Sequence, residues 1–263
     1  MDPIVWAFIF LLVVFLAIKI RESLLGSSPV PNSANGNVPR PEYILSNGDR
    51  YTGYWRVVNG QYIERDGVGT CVYLQGGTYV GDWKQDKRHG HGIRKWPSGD
   101  VYDGQWKNDA MEGTGTLVCF NGVKYEGQFK ERKFSGLGVM TYPDGGSYNG
   151  QWVEGMKEGQ GTNTWANGQM YRGAYVRDKK SGYGVMRYST GGTYTGDWFA
   201  DMRHGFGVNV NPDGTSVSGI WANDKPVGAG GGGFQGPGAP YQGWVDPHVA
   251  NKHYGLPQFG AGK

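Results

Sequence analysis

From residue 51 onward, large rings and glycines alternate with polar residues in a fixed phase. Tyr79, Tyr102, Tyr125, Tyr148, Tyr171 and Tyr194 follow one another at intervals of 23 residues, and Val217 takes the next step. Two positions after each of them comes a glycine, from Gly81 to Gly219. Two further on comes a large ring: Trp83, Trp106, Phe129, Trp152, Tyr175, Trp198 and Trp221. Side chains of an extended strand alternate between its faces, so Tyr-x-Gly-x-Trp presents all three residues on one face. Seven residues after the ring a Gly-x-Gly pair opens a second strand, from Gly90/Gly92 to Gly228/Gly230. Four positions past that pair the residue is again mostly aromatic, as at Tyr73, Trp96, Tyr142, Trp165 and Tyr188, with Cys119 and Asn211 as exceptions. An opening copy reads Tyr51, Gly53, Trp55 and Gly67/Gly69, with a longer internal loop.

Each copy therefore predicts one β-hairpin with rings and glycines on a common face. A glycine opposite a ring removes the Cβ that would block it, which accounts for glycine inside strands that it otherwise weakens. Turn chemistry separates the copies: Pro97-Ser98-Gly99, Asn121-Gly122, Pro143-Asp144-Gly145, Asn167-Gly168 and Pro212-Asp213-Gly214. One hairpin cannot bury its own aromatic face, so successive hairpins must stack. The expected fold is all-β: an elongated antiparallel β-hairpin solenoid of about eight 23-residue repeats over residues 48–230, seven full and an eighth degenerate. Its expected core is Trp55, Tyr79, Trp83, Tyr102, Trp106, Tyr125, Phe129, Tyr148, Trp152, Tyr171, Tyr175, Tyr194 and Trp198.

The ends follow other patterns. Residues 3–20, PIVWAFIFLLVVFLAIKI, are apolar from Pro3 to Ile18. As a helix they would cover ~27 Å of a hydrocarbon layer ~30 Å thick. A transmembrane helix over residues 1–20 is expected to precede the repeats and to insert in the lipid bilayer through residues 3–20. A cleavable signal peptide would want a basic leader, whereas Asp2 stands there. Lys19 and Arg21 follow the apolar run, which puts the repeats of a single-pass protein on the cytosolic side, or on the matrix or stromal side, of an organellar inner membrane or the endoplasmic reticulum rather than of the plasma membrane. Residues 21–47 carry Pro29, Pro31, Pro39 and Pro41 without periodicity and read as a linker. The period lapses after Gly230. Residues 231–263 read as a Gly-rich tail whose rings Phe234, Tyr241, Trp244, Tyr254 and Phe259 suit partner binding.

Copies such as GTYVGDWKQDKRHGHGIRKWPSG (77–99) and GSYNGQWVEGMKEGQGTNTWANG (146–168) resemble membrane occupation and recognition nexus (MORN) repeats. The resemblance covers residues 48–230 and implies an antiparallel β-solenoid serving as a scaffold, tether or dimerisation arm, sometimes beside membranes. It also implies protein partners, here expected to be subunits of a larger membrane complex.

Composition narrows the chemistry. The net charge of +3 is too small to argue for nucleic acid. Cys71 and Cys119 form no Cys-x-x-Cys pair and lie about two repeats apart, too far for a disulfide. The Gly-x-Gly pairs lack the third glycine and the helix of a phosphate loop, and they recur in every copy. His89 and His91 share a strand face without a third ligand. No catalytic triad, carboxylate pair or cofactor motif emerges, so no enzyme activity and no cofactor are expected. Basic residues gather between each ring-bearing strand and its Gly-x-Gly: Lys84, Lys87, Arg88; Lys130, Arg132, Lys133; Arg177, Lys179, Lys180. They predict either a solvated edge or contact with anionic lipid headgroups.

If the anchor lies in the first twenty residues, deleting residues 1–20 should release a soluble, folded β protein. A truncated chain that still pellets with membranes after a high-salt wash would refute it.

Overall fold

The computed structural model describes residues 36–227. It contains β1 (Gly36–Ile44), β2 (Arg50–Val58), β3 (Gln61–Val72), β4 (Thr78–Lys84), β5 (Lys87–Lys95), β6 (Val101–Lys107) and β7 (Ala110–Val118). The chain continues through β8 (Lys124–Lys130), β9 (Lys133–Thr141), β10 (Ser147–Val153), β11 (Met156–Thr164) and β12 (Met170–Val176). It ends with β13 (Lys179–Arg187), β14 (Thr193–Phe199), β15 (Met202–Val210), β16 (Ser216–Ala222) and β17 (Lys225–Val227). Each strand pairs antiparallel with the next, which makes one open meander of 17 strands. The all-β hairpin expectation holds. The transmembrane helix expected over 1–20 lies outside the described residues, as does the tail. Among the described residues no helix is long and apolar enough to cross a membrane.

Two turn geometries alternate because two kinds of connection alternate. Between copies, Trp96 N–H donates to Asp100 O and Gly99 N–H to Trp96 O, at 2.9 and 3.0 Å. Gly99 takes φ +97°, so Pro97-Ser98-Gly99 is a three-residue turn that needs glycine at its last position. Within a copy the loop is only two residues, both at positive φ: Gln85 and Asp86 at 50° and 62°, Asn108 and Asp109 at 48° and 69°. This primed turn matches the right-handed twist of the flanking strands. The second strand consequently starts at Lys87, three residues before Gly90 rather than at the Gly-x-Gly pair.

The two glycines of that pair have separate tasks. Gly136, at φ +58°, sits at a bulge where Gln128 Oε1 accepts the Leu137 N–H at 3.1 Å. Gly138 is extended and faces Gly127 across the ladder, and the Tyr125 ring lies over both, so a Cβ at either would enter the phenol. Every repeat tyrosine from Tyr51 to Tyr194 is buried in this way. Its hydroxyl donates to the carbonyl three residues on, at 2.9–3.1 Å.

Adjacent copies interlock through the second ring. Trp83, Trp106, Trp152, Trp198 and Trp221 donate Nε1–H to a glycine carbonyl of the preceding copy, at 3.0–3.3 Å. Each of these rings but Trp221 also stands edge-on to two tyrosines. Tyr79–Trp83 and Tyr79–Trp106 have centroids 5.0 and 5.5 Å apart at 87° and 86°. The pattern continues unbroken from Tyr43–Trp55 to Tyr194–Trp221. The expected core residues are all in this row.

Residues 36–44, within the stretch read as linker, form β1 instead and pair with β2. Tyr43 closes the aromatic row at that end, with the Arg40 guanidinium 3.9 Å from its ring centroid. The proline spacing concealed this strand, which stands where a preceding copy would have supplied one.

Gly138→Ala should lower stability by ~3 kcal/mol or more, since the phenol of Tyr125 has to leave its seat. Gly145→Ala, at φ +88° in open space, should cost only ~1 kcal/mol. Similar melting shifts for the two variants would overturn this account of the core.

Candidate interaction surface

Above the aromatic row lies a second layer of side chains, one from the start of each copy's second strand. They are again 23 residues apart: Arg65, Arg88, Met111, Phe134, Lys157, Lys180 and Arg203. The Arg65 guanidinium lies 4.1 Å from the Trp83 ring centroid, Arg88 4.5 Å from Trp106, Lys180 Nζ 4.1 Å from Trp198 and Arg203 4.3 Å from Trp221. Phe134 stacks on Tyr125 with centroids 4.0 Å apart. The layer is thus cationic toward both ends and apolar in the middle, where Met111, Leu117, Phe134 and Met140 pack on the core.

The turn of the following copy holds these cations in place. Asp109 Oδ1 accepts from both Arg88 N and Nε, at 3.0 and 2.8 Å, and Asp109 N–H donates to Arg88 O at 3.0 Å. Asp86 does the same for Arg65 and Asp224 for Arg203. Asp178 and Asp201 accept the backbone N–H of Lys157 and Lys180. Lys157 reaches across Tyr148 to Asn163 Oδ1 at 2.9 Å. Burial pulls Lys157, Lys180 and Arg94 below their ordinary pKa values, opposed for both lysines by the Asp201 carboxylate.

The basic clusters expected on one edge therefore divide. Arg88 and Lys180 turn onto the rings. Lys133 pairs with Glu154, and Arg132 donates to Asp109 O at 3.3 Å. Lys84, Lys87, Lys130, Arg177 and Lys179 are exposed. Arg65, Lys157 and Arg203 belong to the ring layer but were absent from the clusters. Their common phase with Arg88 and Lys180 was the signal that could have found them.

The opposite face carries a different feature. The residue after each second ring points there, and it changes from Lys84, Lys107 and Lys130 to Val153, Val176 and Phe199. The middle residue of Gly-x-Gly shares this face, at Leu137, Tyr183 and Phe206, and Ile220 pairs with Phe206. Toward the C-terminal end this gives exposed apolar side chains: Val153 50%, Val176 48%, Tyr183 59%, Phe199 60%, Phe206 46% and Ile220 53% exposed. The tail rings Phe234, Tyr241, Trp244, Tyr254 and Phe259 lie outside the described residues.

Cys71 and Cys119 are both free, and burial pushes the Cys71 thiol up to about 11. His91 Nε2 lies 3.0 Å from Asp103 Oδ1. Among the described residues no group of three or more His, Cys, Asp or Glu could hold a metal ion.

Among the described residues, fold and surface together define an all-β repeat protein, built from successive hairpins of one pattern. The MORN repeat family model matches six consecutive copies, 79–101, 102–124, 125–147, 148–170, 171–193 and 194–216. These cover more than half of the chain, and the chain belongs to the MORN-repeat family. No curated protein matches it. Among solved structures it is similar to the TCP domain of Drosophila melanogaster SAS-4 in complex with a proline-rich motif, with 13% identity over 74% of this chain and 97% of that one, TM-score 0.38. It is also similar to the TCP10 domain of Danio rerio CPAP, with 14% identity over 68% and 82%, TM-score 0.39. A CPAP G-box domain gives 16% identity over 69% and 92%, TM-score 0.41. At these scores the likeness carries no functional implication for this chain.

The buried phenols predict an alkaline limit to stability. Burial pushes Tyr125 and Tyr194 up to about 12, and it raises Tyr51, Tyr102, Tyr148 and Tyr171 as well. Unfolded tyrosine ionises near ~10, so above that pH the unfolded chain loses protons that the folded one keeps. The stabilisation is complete below pH ~10 and is lost as pH rises toward the folded values. Phenolate absorbance at 295 nm should therefore rise together with loss of the β-sheet circular dichroism. Ionisation of these phenols with the sheet intact would contradict their burial.

Proposed function

We propose that this chain is a non-catalytic scaffold that holds protein partners in a membrane assembly, with the repeats as its binding element. The observation that carries the reading is the exposed apolar array Val153, Val176, Tyr183, Phe199, Phe206 and Ile220. Apolar patches of this kind on a protein surface mark contact with other proteins. The array is built by periodic substitution at two repeat positions, which is how a repeat protein acquires a binding face without disturbing its core. Family membership agrees with a scaffold role. A non-catalytic role is supported by the use of the perturbed groups: the tyrosine hydroxyls and Lys157 are engaged in hydrogen bonds within their own strands, and Lys180 packs on the Trp198 ring of the next copy. Membrane attachment, the cytosolic or matrix/stromal placement and the contribution of the tail rings rest on the sequence alone.

A second reading has the exposed Lys84, Lys87, Lys130, Arg177 and Lys179 contacting anionic lipid of another membrane. With Arg88, Lys133 and Lys180 occupied elsewhere, fewer charges remain for it, at ~1 kcal/mol each.

Isolation of the chain in mild detergent, with mass spectrometry of what stays bound, separates the two. Val176→Glu with Phe199→Glu should release the partners, while each exposed change moves stability by only ~0.5 kcal/mol. Lys84→Gln with Lys87→Gln and Lys130→Gln should retain them. If the glutamine variant loses its partners or its membrane site while the glutamate variant keeps both, the lipid-tether reading replaces the scaffold.

A further inference from the structure

Arg94 on β5 is 8% exposed, yet its Nε and Nη1 atoms have no hydrogen-bond partner. Its guanidinium lies 3.8 Å from the Tyr73 ring centroid and 5.6 Å from that of Trp96. Ring contact satisfies part of the charge but none of the N–H groups, and an unpaired buried N–H on a cation is among the more costly features a fold can carry. The fold does not require a cation there. The equivalent position in the other copies holds Cys71, Leu117, Met140, Asn163, Met186 and Asn209. Where that residue is polar it is paired: Asn163 with Lys157 and Asn209 with Arg203, at 2.9 and 3.3 Å. The nearby cation Arg88 already has Asp109, at 2.8 Å. Arg94 alone in its column is polar and unpartnered.

Arg94 borders a cleft of about 430 Å³ among three successive turns, whose walls include Leu74, Trp96 and Pro97 and the amides of Asn47 and Gln75. The one carboxylate at the cleft, Asp49, is spent on the turns: Oδ1 accepts Leu74 N–H at 2.8 Å and Oδ2 accepts Asn47 Nδ2 at 2.9 Å. Its negative charge disfavours a dianion in the cleft, whereas a single carboxylate on an apolar body fits both the unpaired donors and the walls.

We propose that this cleft is a carboxylate-binding site, in which a carboxylate carried on an apolar group of a protein partner accepts the unpaired N–H groups of Arg94. Leu74, 72% exposed on its turn, forms part of the apolar wall beside it. The carboxylate is that of a chain terminus or of an acidic side chain, and the two share this chemistry. The site adds a specific contact to the scaffold reading and is testable without any partner protein, so it can fail while that reading stands.

The test is an NMR titration of the ¹⁵N-labelled full chain in uncharged detergent, following the Arg94 Nε–H resonance, identified by its loss in Arg94→Met. N-acetyl-leucine represents a chain terminus, N-acetyl-glutamic acid α-amide an acidic side chain, N-acetyl-leucine amide the neutral control and inorganic phosphate a competing anion. A saturable shift with either carboxylate, absent with the amide, is expected, and the tighter of the two identifies the source. Thermal melting gives the second readout: the carboxylate should raise the midpoint of the unsubstituted chain. In Arg94→Met, which places a residue the fold already accepts at Met140 and Met186, affinity should fall by roughly tenfold or more. No shift, an equal shift with the neutral amide, tighter binding of phosphate, or an undiminished midpoint rise in Arg94→Met would each overturn the proposal.

Discussion

The structure depends on one contact: a tyrosine ring laid flat over two facing glycines, with its hydroxyl bonded to a carbonyl of its own strand. At Tyr125 these are Gly127, Gly138 and the Gln128 carbonyl, at 2.9 Å. Both glycines must lack a Cβ for the ring to descend, and the buried hydroxyl must find an acceptor once water is gone. That requirement fixes two of the three repeat glycines and the spacing between tyrosine and the second strand. It also leaves the ring edge-on to the large rings of its own and the next copy, a favoured geometry worth ~0.5–1.5 kcal/mol per pair beyond area burial. Because the second ring bonds to a carbonyl of the preceding copy, no copy completes its own core.

Coupling between copies runs along two separate lines. One is the aromatic row with its indole hydrogen bonds. The other is the ladder of turns, in which an aspartate at the second turn position reaches back 21 residues, as Asp109 does to Arg88. Asp tolerates the left-handed conformation these turns demand and offers a carboxylate at the same point, so a single residue type meets both needs. Where the turn carries Arg132 or Gly155, the backbone bond to Met111 or Phe134 remains but the carboxylate is missing. The residues above the rings there are Met111 and Phe134, neither charged. Aspartate and cation thus appear or disappear together, and the apolar middle of the ring layer follows from that pairing.

Much of this was legible in the sequence. The period, the common face of Tyr-Gly-Trp and the turns between copies all follow from the alternation of side chains and from Pro, Asn, Asp and Gly at fixed offsets. The turns inside copies were not legible, because Gln85-Asp86 and Glu131-Arg132 lack the Asn-Gly or Asp-Gly signature usual for primed turns. Taking them for longer loops placed Arg88 and Lys180 on a flexible edge. In fact both lie on strands with side chains directed over rings. The first glycine of each pair was likewise read as ring clearance, although its bulge conformation is its reason. Strand β1 escaped detection because its prolines suit an edge strand as well as a linker.

The two ends of the sheet break the repeat in opposite ways, and each break has a physical consequence. At the first copy the row is closed by Tyr43, Tyr62 and Arg40, but the indole of Trp55 loses its acceptor. Fourteen residues before it, where other copies provide a glycine carbonyl, lies Pro41, inside an irregularity of the β1–β2 register between Arg40 and Tyr43, and Trp55 Nε1 is buried without a partner. At the last copy Val217 replaces the tyrosine, so the site over Gly219 holds no ring and a Cβ there would meet nothing. Trp221 keeps the tyrosine of the preceding copy, at 5.4 Å, and has none from its own. Strand β17 spans three residues and pairs only with the end of β16, which leaves Ser216–Gly219 without a ladder partner on that side among the described residues. The first copy thus gives up a hydrogen bond and keeps its rings sealed. The last gives up a ring and keeps its indole bond, and the exposed Phe199, Phe206 and Ile220 lie beside that unfinished edge. Among the described residues, an exposed apolar surface and an unpaired strand edge therefore occur together at the C-terminal end of the sheet, and both are features that a further strand can cover.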